Sequence, residues 1–451
     1  MSGCRISSRA MKIILMGFIL IIFQPVQAED LIEVYRKALI NDPQILGAEY
    51  THAAERESVK EAIGRMLPQV AFEYSRSNTD QKISESGNIF QSPGDDEFDT
   101  TDYSLTLTQP LYNRALYTGF KQAKTDIQRS DAEFVSKQQD LILRVARAYL
   151  EALGATDEVD FTRAEKTAVQ KQLELVQVRM SSGVARKTDL YDAQARYASV
   201  EADEISADSN LDDKLQALRE IVGELSGDLA TLKTELELVH PEPRDPQSWM
   251  EAAIKQNPRV LLQSLVVQVS RQEVLLQKAG HMPTLDLTAR LNDRDTDNVG
   301  VVNKAETREL LVRLTIPLYK GGIVSSRTRR AHQLHQKAQQ DLTATQRAVQ
   351  RSARAAYHGI ISAISMVNAL AKSVRSQELA LLLKREGYRS GLFTTLDVLD
   401  AERDVYEVKR DHARARYEYV LNSLALKHSV GTLSEADLAG INKWLQFGIK
   451  K

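Results

Sequence analysis

Two hydrophobic periods alternate along this chain. Leu141, Ile142, Val145, Ala148, Tyr149, Ala152 and Leu153 recur at the spacing of one helical face. Upstream, Val70, Phe72 and Tyr74 alternate with Ala71, Glu73 and Ser75, and Leu105 and Leu107 alternate with Thr106 and Thr108, which is the period of a strand with one apolar side. The second half repeats this. Leu285, Leu287, Ala289 and Leu291 alternate with Thr284, Asp286, Thr288 and Arg290, and Leu310, Val312, Leu314 and Ile316 alternate with Leu311, Arg313 and Thr315. Each half predicts helix, strand, polar loop, strand, long helix, a break at glycine and a second long helix. The loops are expected at about 76–102 and 292–309, the first of them acidic.

Fixed offsets tie the halves together. Pro43 and Pro68 repeat 215 residues later as Pro258 and Pro283, and Pro110-Leu111-Tyr112 repeats at an offset of 207 as Pro317-Leu318-Tyr319. Ala148-Tyr149, Ser182-Gly183 and Val222-Gly223 return at an offset of 208 as Ala356-Tyr357, Ser390-Gly391 and Val430-Gly431. Such agreement predicts a duplicated unit, with boundaries at 29–240 and 241–451. Prolines 68, 110, 283 and 317 are expected where helix and strand meet, because proline lacks the N–H that either element uses. No proline falls in 111–240 or 318–451.

The N-terminus changes the compartment. Arg5, Arg9 and Lys12, the apolar run Ile13–Phe23 and Val26-Gln27-Ala28 follow the order of a secretory signal peptide over residues 1–28, whether translation starts at Met1 or Met11. Its removal takes the formal charge from −2 to −5 and carries away Cys4, the single cysteine, so the mature chain has no disulfide. The near balance of charge argues against nucleic acid as a partner. No Gly-rich phosphate loop occurs, and no later apolar run is long enough for a membrane-spanning helix, which leaves membrane β-strands open.

Four strands of eight to ten residues would cross a bilayer if tilted, yet four cannot close a barrel, so a membrane reading demands oligomerisation. A water-soluble α+β protein with its sheet covered by helices fits the strands equally well. The helices separate the two readings. A helix from Pro110 to Gly183 is on the order of 110 Å long, which no compact domain holds; it belongs in a coiled coil or a tube wall.

On these residues the chain resembles the TolC family of outer-membrane efflux and secretion channels over essentially all of 29–451. Leu67-Pro68-Gln69, Met282-Pro283-Thr284-Leu285-Asp286-Leu287-Thr288, Pro317-Leu318-Tyr319-Lys320-Gly321-Gly322, Gly387-Tyr388-Arg389-Ser390-Gly391 and Thr395-Leu396-Asp397-Val398-Leu399-Asp400-Ala401 carry the resemblance. It implies a mixed α and membrane-β fold: a homotrimer whose twelve-stranded barrel takes four strands per chain and continues as a long α-helical barrel in the periplasm. It also implies an equatorial belt around the cylinder, from Glu224–Ser248 and the segment after Ser434. The partners implied are a periplasmic adaptor, an inner-membrane transporter and outer-membrane lipid.

Gly183 and Gly391 mark the expected hairpin tips, each followed by acids 6 and 9 residues on, Asp189 and Asp192, then Asp397 and Asp400. Read from the residues, these acids suit helix N-termini. The resemblance gives them further roles: Asp397 and Asp400 as a carboxylate constriction, and Asp189 and Tyr388 as parts of a tie that closes the tip. The family's closing arginine falls on Phe393, so Arg186, Lys187 or Arg389 would have to replace it. Gly183-Val184 and Gly391-Leu392 match the adaptor-docking surface. His332 and His335, three apart on a helix, lack a third ligand for a metal. The resulting expectation is a passive, non-enzymatic conduit without cofactors in an efflux or type I secretion system. The alternatives are a periplasmic coiled-coil adaptor or scaffold and, behind it, an enzyme using Asp397 and Asp400 as an acid/base pair.

Overall fold

A computed structural model describes residues 29–85, 93–225, 227–233, 235–298 and 303–446; the signal-peptide segment 1–28 lies outside the described residues. Helices α1 (Leu31–Asn41) and α2 (Pro43–Gly64) lead to strands β1 (Gln69–Ile83) and β2 (Gly94–Asn113). Helices α3 (Arg114–Ser181) and α4 (Lys187–Val222) follow. After a short β3 (Thr231–Leu232), the order recurs as α5 (Pro246–Gln256), α6 (Pro258–Lys278), β4 (Thr284–Thr296), β5 (Lys304–Thr315), α7 (Ile323–Arg389) and α8 (Thr395–Val430). The last described elements are α9 (Glu435–Asn442) and β6 (Leu445–Gln446).

Helix starts are written locally. Asp42, Asp245 and Asn257 each cap a helix whose first residue is proline, their side-chain oxygens accepting from backbone N–H groups of the first turn. The orphan N–H groups are thereby satisfied just where the fixed φ of proline suits the helix. At 68 residues, α3 is about 100 Å long. It lies between α2 and α6 near the sheet and between α4 and α8 farther along, and α7 flanks α6 and α8.

The sheet is antiparallel with order β1-β2-β4-β5. Its register places Val70, Leu107, Ala289 and Leu310 in one row across all four strands, and Glu73, Ser104, Asn292 and Thr307 in a row on the other side. One face is therefore apolar and exposed, with Phe72 at 68% and Leu310 at 73%; Tyr74 and Tyr103 pair on it with ring centroids 5.1 Å apart. Among the described residues the outer edges of β1 and β5 carry no partner strand. No described helix is long and apolar enough to cross a membrane.

Two sequence expectations need correction. Most of the polar stretches expected as loops is strand: β1 runs to Ile83, β2 begins at Gly94 and β4 reaches Thr296. Past the apolar band both faces carry mostly polar side chains, and pairing continues beside polar contacts such as Arg76 to Asp99 at 2.7 Å, Arg294 to Asp102 at 2.9 Å and Lys304 to Asp295 at 3.1 Å. Pro110 lies inside β2 rather than at its end. The register shifts between Pro110 and Tyr112, and a bulge beyond the start of β1 is where a strand tolerates a missing N–H.

The main core lies midway along the helices. Tyr149, wholly buried on α3, places its hydroxyl 2.8 Å from the Ala230 carbonyl and 3.0 Å from that of Glu29. Around it pack Leu31 and Val34 of α1, Val145 of α3, Leu424 of α8 and Leu438 of α9. The β3–β6 pair, with Lys233 N–H donating to the Trp444 carbonyl at 2.9 Å, packs against this core beside α1.

Candidate functional site at the hairpin tips

Both long helical pairs reverse through the same turn. In the first, Gly183 has φ of +78°, Val184 N–H donates to the Arg179 carbonyl at 2.9 Å, and α4 starts with Arg186 N–H donating to Asp189 Oδ2 at 3.0 Å. In the second, Gly391 has φ of +80°, Leu392 N–H donates to the Gly387 carbonyl at 2.8 Å, and α8 starts with Thr394 N–H donating to Asp397 Oδ2 at 2.8 Å. Glycine is required at each turn because the left-handed backbone crowds a Cβ. Val184 and Leu392, at 76% and 79%, stand out into solvent.

The acids occupy distinct environments. Asp397 also takes a 2.6 Å hydrogen bond from the Thr394 hydroxyl; that hydroxyl, with the backbone N–H, holds its carboxyl below the usual carboxylate range. Asp400 is 3.6 Å from Arg403 Nη1. Asp189 is engaged by its own helix start, and within one chain it shares no hydrogen bond with Tyr388 among the described residues. Arg389 pairs with Glu386 at 3.0 Å, while Arg186 and Lys187 are exposed and make no ion pair among the described residues.

The cation that meets Tyr388 is Arg179, a residue the sequence reading passed over. Its guanidinium carbon lies 4.5 Å from the ring centroid, joining the end of α3 to the end of α7. Tyr388 is buried against Leu381, Val398, Ala401 and Val405, and its hydroxyl lies 3.3 Å from Thr395 Oγ1. Phe393 folds onto Gly387, so closely that a Cβ there would clash with Phe393 Cδ2. The one signal in the sequence was the 208-residue offset, which pairs Arg179 with Gly387 and Ala185 with Phe393.

Farther from the tip lie two buried carboxylates, of which Glu165 joins the two hairpins. Glu165 on α3 accepts from Arg196 on α4 and, at 3.1 Å, from Arg410 on α8. Glu402 on α8 accepts from Arg385 on α7 at 2.8 Å, while its Oε2 finds no partner among the described residues. Burial pushes the Glu402 carboxyl up against the pull of Arg385, and the charge of Glu165 adds to the push. Away from the tips, His335 Nδ1 lies 2.9 Å from Ser270 Oγ, and the described residues contain no cluster with the makings of a metal site.

A two-ended molecule of this kind, an amphipathic sheet continued by antiparallel helices about 100 Å long, has the fold of outer-membrane channels. The chain aligns with the Campylobacter jejuni CmeC outer membrane channel at a TM-score of 0.80 and 14% identity, covering 93% of this chain and 90% of that one. The chain belongs to the outer membrane efflux protein family, whose pattern matches residues 34–224 and 249–432. It is 34% identical to outer membrane protein TolC of Vibrio cholerae serotype O1, over 94% of this chain and 96% of that protein. It is 29% identical to the alkaline protease secretion protein AprF of Pseudomonas aeruginosa, over 94% and 88%. It is thus an outer-membrane protein reaching into the periplasm, with relatives that are efflux and secretion channels rather than enzymes.

Proposed function

We propose that three copies of this chain close one twelve-stranded barrel and form a passive conduit from periplasm to exterior, gated at the hairpin tips. The observation that carries this is the four-stranded sheet with two unpaired edges and one exposed apolar face. An open edge invites a further strand, and an exposed apolar face needs lipid or protein. A second copy pairing β5 to β1 satisfies the edges, three copies close the ring, and the apolar row faces lipid. The helices then continue the barrel as a hollow periplasmic wall.

In this reading Asp397 and Asp400 from three chains ring the narrow end, where carboxylates favour cations. Asp189, Tyr388 and Arg179 hold the tips together. Gly183-Val184 and Gly391-Leu392 offer small and apolar contacts to a periplasmic adaptor, and an inner-membrane transporter supplies energy and chooses the cargo. Mass measurement of detergent-extracted protein from the outer-membrane fraction tests the assembly. A stable trimer with single-channel conductance in planar bilayers is expected, and a monomer or dimer without conductance refutes it.

A further inference from the structure

Beside the belt, on the opposite side of α3, an open pocket of about 610 Å³ gathers Lys137, Arg144 and Arg147 with Arg259 of α6 and His428 of α8. At 3.6 residues per turn, Asp140 and Arg147 project roughly 160–180° away from Tyr149, which is held in the belt core. Own-chain helices α2, α6 and α8 flank α3, so the pocket is walled on both sides of α3 by one chain. With the belt outside the cylinder, its mouth faces the bore; this placement rests on the trimeric reading above.

The charge is unbalanced by construction. Arg144 is bound to Asp42, and Asp140 takes Arg259 at 2.7 Å and His428 at 2.8 Å. Burial opposes ionisation of Asp140, but the His428 hydrogen bond and the Arg259 charge outweigh it and hold the carboxyl below its usual range. Both acids are therefore consumed by their neighbours. Lys137 and Arg147 are exposed and, among the described residues, make no ion pair. Four cations thus face two carboxylates, and Ile45 and Leu143 supply apolar wall. The first turn of α6, which carries Arg259, adds the positive end of that helix, whereas that of α2 is taken up by Asp42.

We propose that this pocket is a binding site for polyvalent oxyanions, bearing phosphate or clustered carboxylate groups, within the bore. Lys137 and Arg147 contact the ligand, while Arg144 and Arg259 are fixed by their acids as a positive frame. Anionic cargo that passes an acidic tip would meet here the opposite sign of charge, which lowers the cost of a long, narrow path.

Calorimetric titration of the purified full-length mature protein in detergent with inorganic tripolyphosphate tests the site. One site per chain is expected, weakened by added salt and at least tenfold by Lys137→Ala with Arg147→Ala. Lys137→Arg with Arg147→Lys keeps both charges and should retain binding. Removing two exposed cations elsewhere, Lys372→Ala with Arg375→Ala, should change little. No binding, or equal loss in both alanine pairs, overturns the site. Block of single-channel current by tripolyphosphate tests the placement separately: binding in solution without block from either side of the bilayer means that the pocket does not face the bore. Binding by a protein that never conducts fails the channel reading and leaves the pocket standing.

Discussion

The two hairpin tips share one backbone and differ in which position of the turn carries bulk. At the first, Arg179 occupies the position whose carbonyl receives the turn, and Ala185 follows the glycine; at the second the same places hold Gly387 and Phe393. The turn brings these two positions together, so only one can be large. Gly387 leaves space that the Phe393 ring fills, whereas Ala185 leaves Arg179 free to reach across to Tyr388. The first tip thus supplies a cation, and the second supplies the aromatic surface that receives it. Two turns of the same backbone form a matched pair because they differ at these two positions.

The comparison breaks most severely at the junction behind the tips. Glu165→Ala leaves Arg196 and Arg410 without the buried carboxylate that joins α3, α4 and α8. It is expected to cost on the order of 3 kcal/mol in chemical denaturation. Glu402→Gln should be far milder, because the ionised carboxyl is already penalised by burial and the amide still accepts from Arg385. The raised Glu402 carboxyl binds its proton more readily folded than unfolded. Acidification through that raised value therefore adds stability in the native protein, an increment that Glu402→Gln should remove. Equal losses from both substitutions would refute the distinction between a bridging and a strained carboxylate.

Next in size is the exchange of bulk at the second tip. Gly387→Ala drives a methyl into the Phe393 ring and should cost roughly 1–3 kcal/mol, as overpacking does. Adding Phe393→Ala should recover most of that loss by clearing the ring from the space that the new methyl needs. A double variant no better than the single one would show that the ring is not what fills the space.

Smaller still is the tie itself. Arg179→Ala removes a cation over an aromatic face, worth about 0.5–1 kcal/mol at a partly exposed site, and should raise resting conductance in planar bilayers. Tyr388→Phe keeps the ring beneath Arg179 and loses only the contact with Thr395, so its conductance should lie between wild type and Arg179→Ala. Unchanged closure in both variants would move the gate elsewhere.

The smallest expected effect on stability concerns Asp397, whose counterpart Asp189 caps the first tip. Its carboxyl is lowered by Thr394, so its contribution is complete above the ordinary carboxylate value near 4. That contribution is lost as pH falls through the lower folded value. Replacing Asp397 and Asp400 together by Ala should abolish block by a trivalent cation added from the periplasmic side while leaving an assembled trimer. Persistent block at the same concentration would reduce both acids to helix-start residues.

Much of this architecture is determined by the sequence alone, because its causes are local. An Asx residue before proline starts α2, α5 and α6, glycine alone suits the turns at 183 and 391, and period-2 alternation marks the apolar part of each strand. The strand ends escaped that reading because beyond the apolar band both faces of the sheet are largely polar, and alternation no longer distinguishes them. The contact of Arg179 with Tyr388, the bridge from Glu165 to Arg410 and the pocket joining Lys137 to Arg259 were decided only in the tertiary structure. These partners stand more than a hundred residues apart. Which of them meet depends on how α3 is staggered against α6, α7 and α8, and that stagger is set by packing along whole helices rather than by any motif.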